Sequence, residues 1–380
     1  MKPAIQKVFL AVLFLLALTS KGYAQTAQAE KEIQTIMQEY DVVGLSVAVV
    51  KKGEIVYSKA FGLKNRETQT PLALDDIFRI ASISKSFSAT AIMQLVEAGK
   101  LSLNDDFSDL VGFKVRNPKY PNTVITLKMV LSHTSSINDS QGYFTLDAIN
   151  PAKNPDWAKC YNAYEPGKGY EYCNLNFNMV GTIIEKKTGE RFDQYVKKHI
   201  LDPLDLYGGY CVDSLDASRF ATLYAYDTDS AKFTPSYSAY NPRSEEIRNY
   251  VMGYSTPIFS PTGGMKISVP DLAKYMTMHM QLGEYQDTRI ISRKSAKRMQ
   301  KPVADNGYAL ALTTEKELIP GKTMVGHTGT AYGLYSSMFF HPKEQFGIVV
   351  ITNGCSEPET EELNKVIVAA TNSLYQHLVK

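Results

Sequence analysis

The sequence predicts a mixed α/β protein of the α+β type, with one antiparallel sheet built from both chain termini and flanked by helices. A mostly helical lobe is predicted beside this sheet. Two observations support the prediction: a strand, turn and strand pattern occurs near each end of the chain, and the segments between carry apolar residues at helical spacing. Since both hairpins are apolar, we expect them to share one buried sheet.

The N-terminal hairpin begins with Val42–Val50, which reads VVGLSVAVV and is rich in β-branched residues. KKGE then supplies a glycine turn before IVYSKAFG. The C-terminal hairpin repeats this order with LYSSMFFH, the turn PKEQ and FGIVVITNG. The segment from Glu357 to about Leu378 is predicted as a helix that closes the sheet.

The helical pattern is clearest at Ser82–Ala98, where Phe87, Ile92 and Leu95 recur at helical spacing before Gly99 ends the segment. Further helices are predicted at Thr126–Leu131, Leu175–Lys187, Phe192–Ile200 and Asp271–Leu282. The segment Val212–Thr262 is rich in tyrosine, serine and proline and has no sustained period, which predicts irregular structure where binding loops lie.

Residues 1–24 have the pattern of a secretory signal peptide. Lys2 and Lys7 precede the apolar run Val8–Leu18, and the small residues Gly22 and Ala24 follow it. The run is too short for a stable membrane span, so we expect cleavage after Ala24 and a periplasmic or secreted protein without a membrane anchor. An uncleaved N-terminal anchor is the alternative.

The charge balance argues against a nucleic-acid partner. The chain has 41 basic and 39 acidic residues, and loss of the three lysines before position 25 leaves 38 basic residues. A nearly neutral protein lacks the basic surface that nucleic acid requires. The four cysteines permit a disulfide without selecting a pairing, and no metal-type motif occurs, so we expect neither metal nor cofactor.

The stretch SISK places Ser82 and Lys85 three residues apart, on one face of the predicted helix. A serine hydroxyl is a weak nucleophile until a base takes its proton, and a lysine with a lowered pKa can be that base. A serine that merely caps the helix is the alternative for this motif alone. Two distant motifs favour chemistry: YCN, with Tyr172 and Asn174, and HTG, which begins at His327.

Ser-x-x-Lys, Tyr-x-Asn and Lys/His-Thr-Gly in this order resemble the serine beta-lactamase and penicillin-binding-protein family, in particular its class C, DD-peptidase and esterase branch. The resemblance covers essentially Ile33–Leu378. It extends to AFGLKN, LSHTSSI and SPTGGMKISVPDLAKY. It implies a beta-lactamase/transpeptidase-like fold and one serine hydrolase domain at 25–380. The sheet lobe would take about 25–100 and 300–380, and the helical, loop-rich lobe about 101–299.

The resemblance also implies roles for single residues. Ser82 would form an acyl-enzyme, and Lys85 and Tyr172 would share the proton transfers, with the choice of base left open. Asn174 would bond Lys85 and a substrate carbonyl. The remaining predicted substrate-binding residues belong to the HTG strand: His327, Thr328, Gly329 and Thr330. The backbone N–H groups of Ser82 and Thr330 would hold the oxyanion.

His327 stands where beta-lactamases of this family usually carry lysine. An imidazole is mostly neutral at pH 7 and matches a substrate carboxylate less well. We therefore expect a small-molecule or peptide substrate with an ester or peptide-like amide bond. The alternatives are an acyltransferase with an acceptor other than water, a true beta-lactamase, and a non-catalytic penicillin-binding protein. His133 and Cys173 are predicted to be structural.

Overall fold

The computed structural model describes residue 22, residues 24–357 and residues 363–380. The predicted signal peptide falls outside the described residues except at positions 22 and 24, so it stays a prediction. A helix, α1, covers residues 24–39. Within the described part of the chain, no helix is both long enough and apolar enough to cross a bilayer.

The strands are β1 Gly44–Lys51, β2 Glu54–Asn65, β3 Thr70–Pro71, β4 Phe78–Arg79, β5 Gly208–Gly209, β6 Tyr224–Asp227, β7 Lys232–Pro235, β8 Lys266–Ile267, β9 Glu284–Tyr285, β10 Thr288–Arg289, β11 Thr313–Glu315, β12 Met324–Ala331, β13 Leu334–His341 and β14 Phe346–Thr352. The helices after α1 are α2 Ser84–Glu97, α3 Phe107–Val111, α4 Leu127–Leu131, α5 Asn174–Thr188, α6 Phe192–Val196, α7 Ser244–Arg248, α8 Val269–Met280, α9 Arg293–Gln300 and α10 Lys365–Leu374.

The main sheet joins both ends of the chain, as the sequence predicted. Its seven strands lie in the order β11-β12-β13-β14-β1-β2-β3. The two hairpins meet where β1 runs antiparallel to β14, in a register that pairs Leu45 with Thr352 and Lys51 with Phe346. The prediction of an α+β fold with a sheet assembled from both termini is therefore confirmed.

Alternate residues of the central strands pack on opposite faces of the sheet, because side chains of a strand point to alternate sides. On one face, Val47 and Val49 of β1 join a core that includes residues of α1 and α10. On the other face, Ala48 and Val50 join the larger core with residues of α2 and α8. The second face packs against the helical part of the chain, and the motif residues lie at that junction.

Two predicted segments differ in detail. The C-terminal helix begins at Lys365 rather than near Glu357, because the side chain of Asn364 accepts hydrogen bonds from the amides of residues 366 and 367 and so caps it. The segment Val212–Thr262 is mostly irregular, but it contains the β6–β7 hairpin and the one-turn helix α7. The proposed lobe boundaries stay a prediction.

Candidate active site

Ser82 lies in a single 3₁₀ turn, Ala81–Ile83, directly before α2. Ala81 has a φ of +49°, a left-handed conformation that turns the chain sharply between β4 and the helix. Ser82 is half-buried and lines a cavity of about 1180 Å³. The turn thus presents its hydroxyl to the cavity.

The other three serines of this stretch are buried and bond to the protein backbone. The hydroxyl of Ser84 accepts from the Met265 amide at 3.0 Å. Ser86 donates to the Ile83 carbonyl, and Ser88 donates to the carbonyl of residue 261. They stabilise the start of α2 and do not line the cavity beside Ser82.

Lys85 is completely buried and its amine has three oxygen neighbours. The Nζ atom lies 3.1 Å from Ser82 Oγ, 2.9 Å from Asn174 Oδ1 and 3.1 Å from the carbonyl oxygen of Thr262. The amide oxygen and the carbonyl can only accept hydrogen bonds. A neutral amine that donates its two hydrogens to them has its lone pair left for the hydroxyl of Ser82.

Burial lowers the pKa of Lys85 from its ordinary value of 10.5 to about 7. Removal from water disfavours the charged ammonium, and this effect exceeds the opposing attraction of the Asp139 carboxylate. A large fraction of the amine is therefore unprotonated near neutral pH. Lys85 has both the geometry and the protonation state of a general base for Ser82.

Tyr172 lies on the other side of the same hydroxyl. Its phenol forms a side-chain hydrogen bond with Ser82, and the Lys85 Nζ lies 4.6 Å from the centre of its ring. Burial raises the pKa of Tyr172 well above its usual value, an effect larger than the lowering by Ser82. Tyr172 is therefore a phenol at neutral pH. It can donate or relay a proton, but it is a poor base.

Asp139, which the sequence analysis did not identify, holds the YCN motif in place. Its carboxylate accepts from the Asn174 amide at 2.8 Å, from Asn174 Nδ2 at 3.0 Å, from the Leu175 amide at 2.9 Å and from Cys173 Sγ at 3.2 Å. Because a carboxylate only accepts, the bond to Nδ2 directs Asn174 Oδ1 toward Lys85. The carboxylate also lies at the positive end of α5.

We expect Asp139→Asn to lower kcat and to move the acidic limb of the kcat/KM profile to lower pH. The NH2 group of the new asparagine would face groups that now donate hydrogen bonds to the carboxylate. Without the negative charge, the pKa of Lys85 falls further. Removal of a charged cap and its bonds costs about 2 kcal/mol in the free energy of unfolding. pH-rate profiles and urea melts measure both effects, with exposed Asp156→Asn as the control. If the acidic limb of the Asp139→Asn profile has the same midpoint pH as that of the wild type, the role assigned to Asp139 is contradicted.

The HTG motif lies on β12 where this strand becomes an edge of the sheet. β11 pairs with β12 only over Met324–Gly326. Over His327–Ala331, one edge of β12 has no strand partner among the described residues. Thr328 and Thr330 line the same cavity as Ser82, with Thr330 exposed and Thr328 half-buried. Backbone N–H groups along such an edge are available to a ligand.

Gly329 brings β12 into close contact with the Ser82 turn. A Cβ atom at this position would lie 2.3 Å from the Ile80 carbonyl oxygen, 2.6 Å from Ser336 Oγ and 3.1 Å from the backbone nitrogen of Ser82. The sequence analysis predicted Gly329 as a substrate-binding residue. The structure gives a further reason for a glycine at this position, because the atoms that a Cβ would displace belong to the protein itself.

We expect Gly329→Ala to lower kcat/KM by at least about 100-fold, since the methyl group moves β12 away from Ser82 and breaks the alignment of the oxyanion donors. Gly321→Ala is the matched control, because a Cβ atom there meets nothing within 4 Å, although its φ of +77° adds some strain. Ester hydrolysis under kcat/KM conditions measures the loss. Activity within threefold of the wild type would contradict this packing role.

His327 is 4% exposed, and both of its ring nitrogens already have partners. Nδ1 lies 2.5 Å from the carbonyl oxygen of Thr328, and Nε2 lies 2.9 Å from the hydroxyl of Tyr308. Since a carbonyl only accepts, Nδ1 carries the hydrogen and Nε2 accepts from Tyr308. Burial, and secondarily the charge of Lys85, lowers the pKa of His327 to about 4. The ring is neutral at pH 7.

His133 packs against the ring of Tyr172. It is buried, with a φ of +57°, and its Nδ1 accepts from the Cys173 amide at 3.1 Å. Its ring centre lies 4.4 Å from that of Tyr172. Burial holds the pKa of His133 well below its usual value. A neutral ring with these contacts has a structural role. Cys173 is also buried, and its thiol donates a hydrogen bond to Asp139 and does not line the cavity.

Three residues of this arrangement were not identified from the sequence: Asp139, Thr262 and Tyr308. Asp139 had a usable signal. The residue before α5 is Cys173, a poor helix cap, so the helix start needed an acceptor from elsewhere. Asp139 follows the LSHTSSI stretch by two positions. Thr262 lies in the SPTGG stretch of the resemblance, but the sequence does not reveal that its carbonyl accepts from Lys85 or that its hydroxyl donates to Asn174 Oδ1 at 2.8 Å. Tyr308 lies in a loop and had no comparable signal.

The family model described as Beta-lactamase matches residues 29–372 of the chain. The chain belongs to the beta-lactamase family. Protein flp of Staphylococcus aureus strain N315 is 27% identical over 357 residues, which cover 90% of this chain. The match spans 66% of that relative's own length, slightly less than two thirds.

Two solved structures share the fold of this chain. The octameric penicillin-binding protein homologue from Pyrococcus abyssi is 28% identical, with a TM-score of 0.74, over 93% of this chain and 78% of that chain. The D-amino acid amidase from Ochrobactrum anthropi SV3 is 21% identical, with a TM-score of 0.69, over 92% of this chain and 98% of that chain. The predicted beta-lactamase/transpeptidase-like fold is confirmed. The family is one of beta-lactamase-fold serine hydrolases.

Proposed function

We propose that the protein is an exported serine hydrolase that cleaves an ester or peptide-like amide through an acyl-enzyme on Ser82. The observation that carries the proposal is the 3.1 Å contact between Ser82 Oγ and a buried Lys85 amine whose pKa is about 7. A nucleophile within hydrogen-bond reach of a base that is unprotonated at neutral pH is the arrangement that acyl transfer requires. Export rests on the N-terminal sequence pattern.

In the proposed reaction, Lys85 takes the Ser82 proton while Oγ attacks the substrate carbonyl. The oxyanion of the tetrahedral intermediate is held by the backbone N–H groups of Ser82 and Thr330. The protonated amine returns the proton, through the phenol of Tyr172, to the leaving group as the acyl ester forms. Water, with its proton taken by the same pair, then releases the free acid.

The leaving-group side of the site favours a neutral or cationic group over an anion. The neutral ring of His327 lies 6.2 Å from that of Tyr172, centre to centre, and offers no charge to a carboxylate. A smaller cavity of about 530 Å³ on this side is lined by Glu315 and Glu317 among others. A beta-lactam, whose carboxylate would lie near the HTG strand, is therefore a poorer match than an ester or amide whose leaving group carries no negative charge.

Covalent labelling tests the proposal. We expect a fluorophosphonate probe to label the folded protein on Ser82, as located by peptide mapping. A screen of D-amino-acid amides, short-chain esters and a chromogenic cephalosporin should then show faster turnover of the esters or amides than of the cephalosporin. A folded protein that stays unlabelled would overturn the proposal.

The products distinguish the remaining alternatives. A hydrolase releases only the free acid when alcohols or amines are added, whereas an acyltransferase forms the corresponding ester or amide. An acyl adduct on Ser82 that never turns over would identify a non-catalytic penicillin-binding protein.

A further inference from the structure

A buried cation lies in the wall of the same cavity, and the proposed chemistry does not use it. Arg79 ends strand β4, three residues before Ser82, and it is 8% exposed. Both residues line the cavity of about 1180 Å³. Arginine stays charged in proteins, and a buried charge is costly unless an opposite charge compensates it.

Arg79 has only neutral partners among the described residues. Its Nε donates to the Gly263 carbonyl at 3.0 Å, and one terminal nitrogen, Nη1, donates to the Ala239 carbonyl at 3.3 Å and to the Tyr332 hydroxyl at 3.4 Å. No ion pair of the described residues includes it. The other terminal nitrogen, Nη2, has no hydrogen-bond partner there, so two donors of the guanidinium are unused.

The position of Arg79 relative to Ser82 indicates which half of a substrate it would meet. The leaving group needs a proton from Tyr172, whose ring neighbours include His327 and Tyr308. The acyl half therefore extends the other way, past Thr330 toward the end of β12. Tyr332 follows that end, and the Arg79 guanidinium carbon lies 4.9 Å from the centre of its ring.

We propose that Arg79 and the hydroxyl of Tyr332 form a subsite for a carboxylate on the acyl half of the substrate. This inference rests on the proposed acyl-enzyme function. The unused Nη2 of a charged guanidinium can donate a charge-assisted hydrogen bond to one carboxylate oxygen. The Tyr332 hydroxyl accepts from Nη1, and its own hydrogen has no acceptor among the described residues, so it can donate to the same carboxylate. One unpaired positive charge matches one carboxylate. The substrate class is thus a monoester or monoamide of a dicarboxylic acid.

Matched pairs of esters test the subsite. The probes are p-nitrophenyl monoesters of succinic, glutaric and adipic acid, each compared with the same compound methylated on its free carboxylate. The wild type should hydrolyse at least one acid about tenfold or more faster, in background-corrected kcat/KM, than its methyl ester, as a charge-assisted hydrogen bond predicts. Arg79→Gln should lower this ratio at least about tenfold.

Arg243→Gln is the matched control. It removes a second positive charge close enough to Arg79 to repel it, but Arg243 pairs with Glu246 and is not part of the cavity wall. Its acid-to-methyl-ester ratio should equal that of the wild type. Equal losses on both esters in Arg79→Gln would show a purely structural arginine and overturn the inference.

The wild-type ratios decide the question even if Arg79→Gln does not fold. No preference for any of the three acids would overturn the carboxylate subsite. Labelling by an uncharged fluorophosphonate separates this outcome from failure of the proposed function. A labelled protein without preference contradicts only the subsite, whereas an unlabelled folded protein contradicts the hydrolase itself.

Discussion

Ser82→Ala should abolish acyl-enzyme formation and lower kcat for the best ester or amide substrate by at least about 10⁴-fold. The substitution removes the only hydroxyl of the SISKSFS stretch that lines the cavity, and with it the atom that lies 3.1 Å from the Lys85 amine. Mass spectrometry of the intact protein after exposure to a fluorophosphonate measures the adduct. Steady-state hydrolysis measures the rate.

Ser86→Ala is the control for this substitution. Ser86 is also buried, and its hydroxyl donates to the carbonyl of Ile83 and does not line the cavity, so its loss should leave labelling complete. The same adduct mass on Ser82→Ala would place the nucleophile elsewhere. Because the side chain of Ser82 is small and half-buried, we expect the thermal stability of Ser82→Ala to stay near that of the wild type.

Lys85→Met should lower kcat/KM by at least about 10³-fold and remove the acidic limb of the pH profile. In the wild type, kcat/KM should rise with pH through about 7, because the base form of Lys85 is populated above that pKa. Methionine has a similar length and no lone pair for the serine proton. A Lys85→Met profile that keeps the same midpoint would assign the base to another group.

The same substitution should raise stability while it removes activity. The unfolded chain holds the Lys85 proton up to about pH 10.5, whereas the folded chain releases it above about pH 7. The unfolded state therefore binds more protons between these values, and wild-type stability rises with pH across that window. Lys85→Met, which buries no charge, should exceed the wild type by at least about 1 kcal/mol at pH 6.

Urea melts of both proteins at pH 6 and at pH 9.5 measure this difference. The advantage of Lys85→Met is complete below pH 7 and shrinks as the pH rises toward 10.5, because across this window the folded wild type has released the Lys85 proton while the unfolded chain still holds it. If the difference in unfolding free energy between the two proteins is the same at both pH values, burial does not lower the pKa of Lys85. The pH profiles and the urea melts together separate the contribution of the Lys85 amine to catalysis from its cost in folding free energy.

Most of the architecture could be predicted from local patterns. The turns of the two apolar hairpins set the pairing of their strands. Apolar residues recur at helical spacing in Ser84–Glu97 and Asn174–Thr188. These hairpins and helices therefore depend on residues that are close together in the sequence. The start of the C-terminal helix was misplaced because Asn364, seven residues after the predicted start at Glu357, caps the helix. The β6–β7 hairpin lay in a segment without clear alternation.

By itself, the sequence determined which residue types the site contains, their order, and the family to which they belong, because motif order and hydrophobic period are local properties of the chain. The tertiary structure decided protonation and pairing. Burial favours Lys85 over Tyr172 as the proposed base, and Tyr308 and Thr328 contact the two ring nitrogens of His327. Among the described residues, Arg79 has no acidic partner. These properties depend on how far water is excluded and on which groups meet through space, and residues far apart in the chain determine both.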